Sequence, residues 1–268
     1  MSERRTAPKR RHAIVPILVF AVVSAFASPI LAKLQDVLAL NPDVLRLTVF
    51  STAAGAAVVW LIWRKGLAYP PATTTGLARP LLLGGAAFLL AGALAYGLAR
   101  IESAPWRPPR AEAFGGPAAI FLIVQLAGAG AEEVGWRGLV QPLLEMRLTA
   151  WKAALVTGAL FGAGHFYLAF AVSPGAFILF VVAAVAISSV LAAATVGRPW
   201  QGRIIVATLL HFAVNMETFF LFTDGDGSVL YYADMAAAYG VVGVVALGML
   251  VRRGDARGAI ETTRPASV

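Results

Sequence analysis

Cysteine is absent from all 268 residues. That excludes disulfides, thiolate chemistry and cysteine-ligated zinc, and leaves the redox compartment open. Charge is scarce as well: Asp, Glu, Lys and Arg make up 13% of the chain, against about 25% in a soluble globular domain. Histidine is rarer still, with His12, His165 and His211 as the full set. The segments between apolar runs are short and rich in Pro, Gly and Arg, so no separate soluble domain fits. What abounds is apolar: 59% of residues, where about 45–50% is usual. These residues cluster in runs of about 20, the length that crosses about 30 Å of hydrocarbon. The runs lack the alternation of barrel strands. An all-α polytopic membrane protein is expected.

Eight spans are read, at 13–32, 47–63, 81–99, 117–134, 153–170, 176–196, 204–222 and 235–251. They form one transmembrane domain over 13–251, between a basic tail at 1–12 and a polar, unstructured tail at 252–268. The net charge of +8 raises the question of nucleic acid, but its distribution answers it. With the N-terminus in the cytoplasm, 17 of the 22 basic residues lie inside, and only Lys33, Arg46, Arg100, Arg107 and Arg110 lie outside. That is the positive-inside asymmetry of an integral protein, here expected in a bacterial cytoplasmic membrane with both termini inside. The six tryptophans (Trp60, Trp63, Trp106, Trp136, Trp151 and Trp200) fall near span ends, as an aromatic belt would place them. A signal peptide ending near Ala32 is the alternative for the first span, but its apolar run is long for one.

The spans differ in chemistry. The interiors of the first, second, third, sixth and eighth hold no Asp, Glu, His, Lys or Arg. The fourth ends in Glu132 and Glu133, the fifth carries His165, and the seventh carries His211, Asn215 and Glu217. Ionisable groups at membrane depth are expensive and therefore point to function. Glu133 and Arg137 are four apart on a helix and can pair, leaving Glu132, turned about 100° away, free for chemistry. Glu132 and His165 lie at equal distances from a turn near 147–149, so they should sit at the same depth and can face each other across a helical hairpin. His211 follows Arg203 by eight residues, about 12 Å of helix, which sets a compatible depth. His211 and Asn215 share one helix face. Polar residues from 137 to 147 suggest that the fourth helix continues into the cytoplasm before turning. Gly128, Gly130, Gly158, Gly162 and Gly164 permit close helix approach or room for a substrate. Gln125 and Glu217 carry weaker signals, Glu217 having no partner that the sequence names.

Together, Glu132-Glu133-x-x-x-Arg137, Phe161-x-x-x-His165 and His211-x-x-x-Asn215 resemble the signature of the CAAX protease and bacteriocin-processing (Abi) family of intramembrane endopeptidases. The resemblance covers roughly residues 115–222. It implies peptide-bond hydrolysis in or near the membrane at a site open to the cytoplasm. Glu132 would be the general base and His165 would bind the attacking water. His211 and Asn215 would donate to the oxyanion, with Glu133, Arg137 and Phe161 in support. Preorganised donors in a dry site are worth a few kcal/mol to such a transition state. Glu132, His165 and His211 could alternatively hold zinc with an open water position. The His-Glu-x-x-His pattern is missing, so metal-free catalysis is favoured. Serine- and aspartate-protease signatures are missing too, since Asp224-Gly-Asp226 falls in a loop. The implied partners are the bilayer and a membrane protein or a lipidated, hydrophobic peptide; no nucleic acid is expected. Two other readings stand beside this one. An ion-coupled transporter would use the same groups as relays, though it should show repeats across the two halves. A non-catalytic scaffold or immunity protein would have no need of so many buried polar groups.

Overall fold

The computed structural model describes residues 14–42, 44–63, 67, 69–70, 72–102, 114, 117–221 and 228–262, with side chains as far as 253. The tail bearing His12, the segment with Trp106, Arg107 and Arg110, and the Asp224–Asp226 loop lie outside the described residues. Among the described residues there is no strand. The helices are α1 (Ile14–Val37), α2 (Ser51–Trp63, preceded by a 3₁₀ turn Leu47–Phe50), α3 (Ala78–Ile101), α4 (Ala118–Gly135), α5 (Gln141–Glu145), α6 (Ala150–Ala163), α7 (Leu168–Ala171), α8 (Pro174–Thr195), α9 (Trp200–Leu221) and α10 (Val229–Thr262). A π-turn, Trp136–Val140, joins α4 to α5 without a break. Six helices are long and apolar enough to cross a bilayer, and two shorter apolar ones, 47–63 and 150–163, stand where the second and fifth spans were expected. The chain is an integral membrane protein.

Its polarity runs inside out. Phe26, Leu61, Leu82, Leu89 and Phe170 face outward, each more than 70% exposed. Glu133, Arg137, Gln141, Thr157, Ser189, Thr195 and Arg203 are buried. A soluble protein would not expose that much apolar surface, whereas in lipid the polar groups are the ones that must turn inward.

Small residues bring the second half together. A Cβ on Gly158 of α6 would sit 2.6 Å from Val185 Cα and 2.8 Å from Ser188 Cβ on α8. The two helices are therefore in backbone contact, the mode that replaces hydrophobic driving force in lipid. α8 starts on a cap: the Ser173 hydroxyl accepts from Ala176 N at 3.1 Å, and Pro174 takes the first helical position. In the first half, the π-turn packs Trp136, Leu139 and Val140 into a core with Phe20 and Val59.

Several expectations change. The fifth span was expected to run unbroken to 170. Instead α6 stops at Ala163, and turns lead to the four-residue α7. Gly162 and Gly164 flank the break, and glycine is a poor helix former. Trp136 is not in an interfacial belt: it is 8% exposed, edge-on to Phe20 at 5.3 Å and to Phe161 at 5.7 Å. The fourth helix does continue past 137 as expected, but Arg137 and Gln141 are buried in protein and do not emerge into water. α10 continues through the polar residues to Thr262, where an unstructured tail was expected.

Candidate active site

The site is built on the end of α4, the break after α6, and the middle of α9. Glu133 points into the protein with no exposure, and its Oε1 accepts from Arg137 Nη1 at 2.9 Å, the i,i+4 pair that the spacing predicts. The same oxygen lies 2.7 Å from His211 Nδ1 on α9. A carboxylate can only accept, so Nδ1 carries the proton of that bond. The other ring nitrogen, Nε2, faces Glu132 Oε2 at 3.5 Å. One imidazole is thus held between the two adjacent acids: Glu133 anchors it, and Glu132 stands across from its free edge.

His165 occupies the turn after α6. Its Nδ1 is 3.0 Å from the carbonyl of Phe161, one helical turn back, and its backbone N bonds Gly162 O at 3.0 Å in a tighter, three-residue turn. The imidazole therefore takes a carbonyl that a continuing helix would have used. Because a carbonyl only accepts, the proton sits on Nδ1, and Nε2 of the neutral ring keeps its lone pair for a water hydrogen. The Phe161 ring stands between the two histidines, 4.9 Å from His165 and 5.9 Å from His211, edge-on to the latter. Phe180 of α8 covers His165 at 4.7 Å.

Glu132 and His165 were expected at one depth, able to face each other; the imidazole within 4 Å of Glu132 is that of His211. Asn215, one turn beyond His211, joins Glu132 in lining a cavity of about 50 Å³ with Arg46, Val49, Gln125 and Gly128. That volume holds a few waters, since one needs about 10–15 Å³ of the same measure. The cavity extends from Glu132 toward the start of α4, the end that the charge count assigns to the outside. The resemblance had implied a cytoplasmic opening.

Among the described residues, no three His, Asp or Glu side chains are grouped as metal ligands. In the zinc set Glu132, His165 and His211, both Nδ1 atoms are already engaged by Phe161 O and Glu133, so only the Nε2 atoms remain for a metal.

Sequence reasoning missed part of the polar interior. Glu217 does have a partner: Tyr239 of α10 donates to its Oε2 at 2.9 Å. Asp234, just outside the expected eighth span, is buried on α10 beside Glu102. Glu145 and Arg203 form a buried two-pronged ion pair, where Arg203 had been read only as a marker of the membrane edge. Residues 114–216 match the model of the family described as type II CAAX prenyl endopeptidase Rce1-like. That segment contains every residue of the three motifs, and over it the chain is similar to the CAAX protease and bacteriocin-processing family. No curated protein matches the chain.

Proposed function

We propose that the protein is an intramembrane endopeptidase in which Glu132 activates water for attack on a peptide bond in or beside the bilayer. The observation that carries this is the division of labour between adjacent acids. Glu133 is consumed by Arg137 and His211 Nδ1, while Glu132, half-buried and without an arginine, borders the cavity and faces His211 Nε2. Water held by His165 Nε2 would lose a proton to Glu132. The oxyanion would receive hydrogen bonds from Asn215 and from Nε2–H of a protonated His211, the arrangement that stabilises charge developing in acyl transfer. An imidazolium at His211 with Arg137 balances the two carboxylates, which answers how one site tolerates both. The substrate is a hydrophobic or lipidated peptide or a membrane protein. The charge asymmetry supports cytoplasmic termini, and the membrane proposed is the bacterial cytoplasmic one.

Purified protein in detergent tests the assignment. Cleavage of a peptide should be lost in Glu132→Gln and in His165→Ala, and activity retained by either removes that residue's role. Cleavage should also persist in strong chelator; loss restored by zinc would replace the glutamate mechanism with a metal one.

A further inference from the structure

Below the site, on the side of the π-turn, a second polar contact joins the same two helices. Arg203 in the first turn of α9 reaches Glu145 at the end of α5 with both prongs, Nη1 to Oε1 at 3.1 Å and Nη2 to Oε2 at 2.6 Å. Both side chains are nearly sealed, at 2% and 6% exposure. Arg203 Nε is held by the carbonyl of Arg198 at 3.2 Å, so the fork has little freedom. Trp200, in the same turn of α9, donates to the carbonyl of Gly138 inside the π-turn at 2.9 Å. Gly138 lets that turn approach: a Cβ there would sit 3.1 Å from Ile204 Cδ1.

We infer that the Glu145–Arg203 pair positions the site: it fixes the axial register of the α4–α5 rod against α9 and so holds His211 between Glu132 and Glu133. The inference rests on the catalytic reading of those three residues. The two rods are antiparallel and share polar contacts from His211 with Glu133 down to Trp200 with Gly138 and Arg203 with Glu145. Helices are stiff along their axes, so a slip at the lower level is carried to the upper one. A slip of one residue is about 1.5 Å, enough to break the 2.7 Å bond from His211 to Glu133. A buried ion pair is a poor source of stability compared with apolar packing, and fixing register is its best-attested use. The π-turn keeps the run from Ala118 to Glu145 helical without a break, so the two levels sit on one rod.

The test uses the full-length protein with ¹⁵N-labelled histidine. Only three residues report, and His12→Gln removes the one in the tail. In Glu145→Gln the His211 ring signals should shift while those of His165 stay. Peptide-cleavage kcat should fall about 10–100-fold with KM nearly unchanged, the scale of a misplacement near 1 Å. Arg203→Lys keeps both charges and removes the fork; it should shift His211 in the same direction and decides the matter where Glu145→Gln does not fold. A folded variant with a lower Tm and unmoved His211 signals would reduce the pair to a structural tie and overturn the inference. If the wild type cleaves no peptide, the protease reading fails separately, because the histidine signals still report on register.

Discussion

Replacing Glu133 by glutamine separates the anchoring acid from the reacting one. Glutamine keeps the shape of the side chain but removes its charge, at a position with no exposure. Arg137, 2% exposed, then loses its counter-ion, and breaking a buried pair from one side costs about 3–5 kcal/mol. At about 2–4 °C per kcal/mol for a chain of this size, that is roughly a 6–20 °C fall in Tm. The bond to His211 Nδ1 weakens from charged to neutral. Losing about 1.5–3 kcal/mol of a charge-assisted hydrogen bond corresponds to roughly 10–150-fold in kcat at 1.36 kcal/mol per decade. Glu132→Gln should behave in the opposite way. Its side chain is partly exposed and borders the cavity, so Tm should barely change while kcat falls by about 10²–10⁴, the range of a lost general base. Both quantities can be read on detergent-purified protein, by thermal unfolding and by cleavage of a fluorogenic peptide. A Glu133→Gln protein with wild-type Tm and kcat, or a Glu132→Gln protein that is the less stable of the two, would refute the division of roles between the acids.

Gly92→Ala should destabilise by about 2–5 kcal/mol, a displaced charged hydrogen bond plus overpacking, because its Cβ would lie on the Glu217 carboxyl that Tyr239 holds. In a Glu217→Ala background the same change should be nearly neutral, a double-mutant cycle measured by thermal unfolding. Gly128→Leu should fill the cavity beside Glu132, where even a Cβ sits 3.3 Å from Val49. Turnover should vanish with little change in Tm, and retained turnover would show that this cavity is not the route to Glu132. Phe161→Leu removes the ring between the histidines. Aromatic pairs are worth about 0.5–1.5 kcal/mol each beyond area, so losing both should drop kcat by about 5–150-fold at 1.36 kcal/mol per decade, with binding of a peptide substrate little affected.

Helix positions were legible because length and hydropathy alone define them in a membrane protein. Contacts within one helix were legible too: Glu133 and Arg137 pair because 3.6 residues per turn puts them there. Contacts between helices were harder. Which way α9 turns decides whether His211 meets Glu132, Glu133 or neither, and no spacing within one segment contains that. The shared depth of His165 and Glu132 was reckoned along a straight helix, and α6 ends at Ala163 before it reaches His165. The contact of Glu217 with Tyr239 is accommodated by a notch at Gly92 on α3, a helix with no charged residue between Arg79 and Arg100. Arg203 shows how a correct rule can hide a second role. A basic residue near a span end satisfies the topology rule, and nothing in that rule says whether an acid waits beside it.

The short length of α6 has a consequence for the lipid around the molecule. Fourteen residues rise about 21 Å, well short of a hydrocarbon layer about 30 Å thick. Beyond Ala163 the amides of His165, Phe166, Leu168, Ala169 and Phe170 each bond the carbonyl three residues back, which limits the unpaired backbone exposed to lipid. Phe166 and Phe170 stand outward on this wound-up stretch. Acyl chains beside it meet a bent, aromatic flank where a smooth cylinder would otherwise be. A thinned patch of bilayer there would bring headgroup and solvent down toward the imidazole of residue 165.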